Sequence, residues 1–120
     1  MLLYSQLIFV GIVEILEVHF GSALSLFYTI WWWDIPAHFL GGVWAGLFLM
    51  WFGAHFKRRV SLLECVLFAF SIGVGWEIFE YYEEVGGSPF MPYWIDTTKD
   101  LIMDTLGGIF AWAFARRTRI

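Results

Sequence analysis

The chain has 120 residues, of which 60% are hydrophobic, 22% aromatic and only 15% charged, and its formal net charge is −4. Soluble domains carry roughly a quarter charged residues, and so short a chain has too small a core to need this much apolar content in water. The composition therefore excludes a soluble globular protein and favours an all-α polytopic transmembrane bundle in a single domain, residues 1–120.

Four apolar stretches predict spanning helices, because about 20 apolar residues are needed to cross a bilayer. They cover residues 2–20, 35–56, 62–82 and 97–115. Residues 21–33 predict either a short interfacial or re-entrant helix, or the continuation of a long tilted first span. The interfacial helix is favoured, because Gly-Ser-Ala at residues 21–23 interrupts the apolar pattern and three tryptophans close the segment.

The basic residues predict the orientation of the chain in the membrane. Six of the seven lie in two short runs, Lys57 to Arg59 and Arg116, Arg117 and Arg119. Positively charged loops stay in the cytoplasm, so both termini are expected on the cytoplasmic side of a bacterial or archaeal-type inner membrane. Confinement of the positive charge to these runs also leaves no basic face for nucleic acid.

The ends of the helices carry capping signals. Ser61 followed by Glu64 is typical of a capping box, so Glu64 needs no functional explanation. Asp34 and Asp96 each precede an apolar stretch and are expected to cap the second and fourth spans.

Small residues at four-residue spacing predict where helices approach each other closely. This pattern occurs in each of the last three spans. It involves Gly42 and Gly46, Ser71 and Gly75, and Gly107, Gly108 and Ala111.

Acidic residues recur at spacings of three and four toward one end of the spans, which places them on one face of each helix. At about 1.5 Å per residue, His38, Glu80 and Asp100 lie at matching depths, roughly 6 Å below the helix ends. Glu14 and Glu17 share the spacing, but the sequence does not fix where the first helix lies. The predicted site therefore comprises Asp34, His38, Glu77, Glu80, Asp100 and Asp104.

Charge at this depth in lipid is costly and usually marks a function. Lys99 is the single lysine or arginine between the two basic runs, so either several carboxyl groups are protonated or a cation lies among them. A divalent metal ion would both supply the missing positive charge and reduce the cost of burying the carboxylates. Carboxylate and imidazole ligands suit several such ions. All six residues are predicted metal ligands, and Glu77 or Glu80 is also the predicted general base.

Three sequence motifs resemble YjdF-like bacterial inner-membrane proteins. They are WDIPAHF at residues 33–39, WEIFEY at 76–81, and WIDTTKD at 94–100 with DTLG at 104–107. The order of the acids and the histidine is also similar, more distantly, to VanZ-like proteins. YjdF-like proteins have no settled function, whereas VanZ-like proteins are proposed to act on lipid or lipid-linked head groups. The resemblance implies the same six residues as the site and a lipid head group as substrate.

Three functions remain open at this point. The favoured one is a metal-dependent hydrolase or transferase that acts on lipid head groups. A cation or proton pathway along the stacked carboxylates is the second, although the other halves of the spans carry no acids to complete a path. The third is a non-enzymatic accessory subunit with His38 as an axial cofactor ligand, although one histidine among many acids fits a macrocycle poorly.

Overall fold

The computed structural model describes residues 2–83 and 89–117, and every regular element within them is an α-helix. The predicted all-α class is therefore confirmed. Arg119 lies outside the described residues. The helices are α1 (Leu2–Ala23), α2 (Leu26–Thr29), α3 (Asp34–His55), α4 (Leu62–Glu83) and α5 (Tyr93–Arg117).

Three of these helices are long and apolar enough to cross a bilayer, over Tyr4–Ala23, Asp34–His55 and Leu62–Tyr82. They confirm the first three predicted spans. Helix α5 is 25 residues long, which is about 37 Å at 1.5 Å per residue. It is not among the three, because four charged residues occupy its first 12 positions, so the fourth span stays a prediction.

The beginnings of the helices confirm one capping prediction and correct two. Ser61 Oγ accepts the Glu64 backbone N–H at 3.2 Å, and Glu64 Oε1 accepts the Ser61 N–H at 3.0 Å, which is the predicted capping box. The predicted caps at Asp34 and Asp96 are wrong. Asp34 is already the first residue of α3, and α5 begins before Asp96, at Tyr93. Both carboxylates therefore lie in a first helical turn, where negative charge is favourable, and are free to make tertiary contacts.

Helix α3 is the centre of the bundle, since it packs against α1, α4 and α5. Helix α4 also packs against α5, but α1 and α4 make no comparable contact with each other in the described residues. The apolar core lies where α1 begins and α5 ends, and the acidic residues lie at the opposite end of the bundle. The core cluster consists of Leu7, Val43, Leu47, Ala111 and Ala115.

The backbones of α3 and α5 touch at two glycines. A Cβ atom at Gly42 would lie 2.0 Å from the Asp104 carbonyl oxygen, and one at Gly107 would lie 2.2 Å from the Phe39 carbonyl oxygen. Only a hydrogen atom fits at either position, as expected where helices meet through small residues. This contact fixes the two helices that carry most of the acidic residues.

The predicted pairing of Ser71 with Gly75 on α4 is wrong. A Cβ atom at Gly75 would meet nothing within 4 Å, and Ser71 is exposed. The close approach is made by Gly73, where a Cβ atom would lie 2.3 Å from Asp104 Oδ2. Residue spacing defines a helical face, but it does not say which face looks into the bundle.

We expect Gly107→Ala to lower the free energy of unfolding by about 1–3 kcal/mol, the usual cost of overpacking, because the added methyl group meets the backbone of α3. The matched control is Gly75→Ala, which should be neutral or slightly stabilising because alanine favours a helix by about 1 kcal/mol over glycine. Unfolding in mixed micelles, followed by circular dichroism, measures both. Equal effects would contradict the backbone contact.

Candidate functional site

His38 is the centre of the polar cluster. Its Nδ1 lies 3.1 Å from Asp104 Oδ1, and its Nε2 lies 3.4 Å from Asp34 Oδ1 and 3.3 Å from Asp100 Oδ2. Asp34 and His38 are one turn apart on α3, as are Asp100 and Asp104 on α5, so each helix presents two side chains on the face it turns to the other. The imidazole thereby joins α3 to α5 through three carboxyl groups.

Lys99 lies on the other side of the same carboxyl groups. Its Nζ is 3.1 Å from Asp34 Oδ2, 3.1 Å from Asp96 Oδ1 and 3.5 Å from Asp100 Oδ1. Asp34 and Asp100 each turn one oxygen to Lys99 and the other to His38 Nε2. The lysine therefore offsets part of the negative charge without occupying the oxygen atoms that face the imidazole.

Helix α4 adds two carboxyl groups to the cluster through Asp100. Glu77, Glu80 and Asp100 offer oxygen atoms that lie within 4.8 Å of one another, and so do the ligand atoms of Asp34, His38 and Asp100. Asp100 is thus common to two groups that could hold a metal ion.

Several of these carboxyl groups are almost wholly buried. Asp100 is 2% exposed, Asp104 6% and Glu77 9%. Glu77 Oε1 and Asp104 Oδ2 have no hydrogen-bond partner among the described residues. An ionised carboxylate in such surroundings is strongly disfavoured unless it is paired, so the cluster needs either protons or more positive charge than Lys99 and His38 supply.

A cavity of about 930 Å³ adjoins the cluster. Asp34, His38, Glu80, Asp100 and Asp104 border it on one side. Most of its remaining wall is apolar and comes from α1, α3 and α4. These apolar residues include Ile15, Val18, Trp44, Ile72, Trp76 and Phe79.

The structure brings all six predicted site residues into one cluster, but Glu77 does not border the large cavity. Its Oε2 accepts a hydrogen bond of 3.4 Å from Thr97 Oγ1, and it lines a smaller cavity between α4 and α5 instead. Of the two predicted general bases, Glu80 alone reaches the large cavity. The structure therefore distinguishes two residues that the spacing had made equivalent.

Four polar residues at the site are not among the six predicted ones. Lys99 was identifiable, since it is three residues after Asp96 on the same face, but Asp96 was interpreted as a cap. Thr97 carried no signal of its own. Glu14 lines the cavity, and its Oε2 lies 2.8 Å from where a Cβ on Gly41 would be. That position depends on how α1 packs against α3, which no local pattern encodes.

The fold and the cluster define an integral membrane protein with a buried carboxylate and histidine site. Residues 3–119 match the family described as "Predicted membrane protein (DUF2238)". The chain belongs to this family, which is the one that the YjdF-like resemblance pointed to. The more distant resemblance to VanZ-like proteins is not supported. No curated protein and no solved structure matches the chain.

We expect Lys99→Met to lower the free energy of unfolding by more than the about 0–1 kcal/mol of an exposed pair and by less than the roughly 3–5 kcal/mol of a fully buried one, because Lys99 is partly buried against the buried Asp96 and Asp100. The matched control is Arg58→Met, since Arg58 pairs with Glu64 at the exposed turn between α3 and α4. An exposed pair contributes about 0–1 kcal/mol. The loss in Lys99→Met should shrink as the pH is lowered, because protonated carboxyl groups no longer need a cation. Equal losses in the two variants, measured in mixed micelles, would argue against a buried charge network.

Proposed function

We propose that this protein binds a divalent metal ion within the membrane at Asp34, His38 and Asp100, and that the metal serves a hydrolase or transferase acting on lipid head groups. The convergence of His38 Nε2 with Asp34 Oδ1 and Asp100 Oδ2, at 3.4 and 3.3 Å, carries the proposal. Ligand atoms about 2.0–2.2 Å from one tetrahedral metal ion are separated by roughly 3.3–3.6 Å. The two separations from His38 Nε2 match this spacing, and the three residues offer ligand atoms within 4.8 Å of one another.

Two neighbouring residues support this choice of ligands. With a metal ion on Nε2, the proton of His38 would be on Nδ1, and Asp104 Oδ1, 3.1 Å from Nδ1, is placed to accept it, as carboxylates commonly do behind metal-bound histidines. Lys99 contacts only the oxygen atoms of Asp34 and Asp100 that point away from Nε2. The lysine and a metal ion can therefore be present together.

The chemistry of the site follows from the cavity beside it. A divalent metal ion polarises a phosphoryl or acyl oxygen and lowers the pKa of bound water. Glu80 borders the cavity and is the proposed general base that takes the proton from the attacking hydroxyl. Glu77 accepts a hydrogen bond from Thr97. Its proposed role is to add a negative charge to the cluster next to Asp100.

We also propose that α5 is a fourth spanning helix and that both termini therefore lie in the cytoplasm. The acidic side chains of α5 at positions 96, 100 and 104 are buried in the cluster, and an apolar stripe at four-residue spacing is exposed on its outer surface. Such a helix can face lipid despite its charges. The turn at Lys57 and the end of α5 lie at the same end of the bundle, and positive residues favour the cytoplasm. The stripe consists of Ile102, Leu106, Phe110 and Phe114.

A proton or cation pathway is the second candidate function. It is favoured by His38, which has carboxyl oxygens at both ring nitrogens. An imidazole in this position can take a proton from one carboxyl group and pass it to the other. The core cluster around Leu47 and Ala111 in the other half of the bundle is apolar, so it offers such a path no acidic group. A non-enzymatic accessory role has no observation of its own to support it.

We expect the detergent-purified protein to contain close to one divalent metal ion per chain, measured by elemental mass spectrometry. His38→Ala and Asp100→Ala should both lose it, because each removes a proposed ligand. His55→Ala, which changes a histidine at the far end of α3, is the matched control and should retain the metal. If only trace metal binds even with excess zinc, manganese or calcium, the metal site does not exist, and proton flux in liposomes would then be measured.

We expect Asp104→Asn to weaken metal binding by about 10–100-fold without abolishing it, the usual effect of changing a residue that orients a metal-bound histidine. Asp96→Asn is the control, because Asp96 contacts Lys99 rather than His38, and it should lose much less affinity. Competition against a metal-binding dye in detergent measures both. Losses of the same size would show that Asp104 acts only through its charge.

A further inference from the structure

The cavity beside the cluster is much larger than a metal ion and its water ligands need. Its volume of about 930 Å³ is near the upper end of the roughly 300–1,000 Å³ found for pockets that enclose small molecules. One end is formed by carboxyl groups such as Asp34 and Asp100, and the rest by side chains such as Ile15 and Ile72. A cavity with one charged end and a long apolar wall suits an amphiphile.

The cavity reaches the side of the bundle as well as its outer end, where Ser25 and Trp31 line it. Helices α1 and α4 both pack on α3, but they make no comparable contact with each other. Residues on the two sides of this gap line the cavity and are also exposed, with Ile15 at 69%, Ile72 at 51% and Trp76 at 49%. Because α1 and α4 are both long and apolar enough to span a bilayer, the gap between them faces lipid.

The dimensions of the cavity fit one leaflet. On α3 its lining runs from Asp34 to Trp44, and ten residues of helix extend about 15 Å. That length is half of the hydrocarbon core, which is roughly 30 Å thick. Asp34 and Asp100 lie toward the outer end of this interval and Trp44 lies at its deeper end. Acidic groups also reach further in, since Glu14 lies beside Gly41 and Asp104 beside Gly42, so the apolar end of the wall is the one at Trp44.

We propose that the cavity holds one phospholipid that enters sideways between α1 and α4. One acyl chain lies along Ile15, Trp44 and Ile72, and the phosphate lies at Asp34, His38 and Asp100. The placement of the phosphate rests on the proposed function, because a divalent cation would hold a phosphate oxygen next to carboxylates that otherwise repel it. The placement of the acyl chain depends on the cavity alone.

The experiment fills the cavity without touching the acidic residues. Ile15→Trp and Ile72→Trp add an indole to its wall, whereas Ile12→Trp and Ile102→Trp add the same group at positions that are 53% exposed and do not line it. Native mass spectrometry of delipidated protein, titrated with palmitoyl-oleoyl phosphatidylethanolamine, measures binding. We expect one lipid per wild-type chain, affinity at least about tenfold lower in the two cavity variants, and wild-type affinity in the two controls.

Two further measurements on the same samples separate the explanations. Glycerophosphoethanolamine, which has the head group without acyl chains, should fail to compete, and full competition would overturn the proposal in favour of a water-soluble phosphate compound. The proposal would also be overturned if the wild-type protein bound no added phospholipid, or if all four variants bound it with equal affinity. The metal content of the same samples tests the proposed function separately. Bound metal without bound lipid would support the proposed function but not the lipid site. Lipid binding that depends on the cavity, without bound metal, would support the acyl-chain site alone.

Discussion

Burial of carboxyl groups between apolar helices is the constraint on which the rest of the structure depends. Asp100 and Asp104 are 2% and 6% exposed, and lipid supplies neither water nor counter-ions to groups that the protein leaves unpaired. The partners must come from neighbouring helices, and they do so because Gly42 and Gly107 let α3 and α5 meet backbone to backbone. That contact brings the imidazole of His38 within hydrogen-bonding distance of α5.

The same constraint divides the bundle along its length. Where α1 begins and α5 ends, apolar side chains fill the space between the helices. Toward the other end, the polar cluster is held by α3 and α5, while α1 and α4 stand on opposite sides of a cavity. The contacts of His38 are therefore made by α3 and α5, α4 adds Glu77 and Glu80, and the cavity lies between α1 and α4. The bundle is thus closely packed at one end and hollow toward the other.

The sequence predicted the parts of this structure that local patterns encode. Hydropathy located three spans, and helical spacing with estimated depth selected six side chains that do meet. Asp34 and Asp96 were misinterpreted because the residue types that cap helices are also those that bind cations. Gly75 was chosen in place of Gly73 because a four-residue spacing does not identify the inward face. Glu14 and the cavity depend on how α1 packs against α3, which only the assembled bundle determines.

The backbone contact between α3 and α5 also has an evolutionary consequence. The two carboxylate oxygens that approach His38 Nε2 belong to these two helices, whereas α1 and α4 lie on either side of the cavity. Substitutions at positions such as Ile15 or Ile72 can reshape the opening while the positions of Asp34, His38 and Asp100 are preserved. Relatives of this chain can therefore differ in the shape of the cavity and still share one unchanged arrangement of carboxyl and imidazole groups.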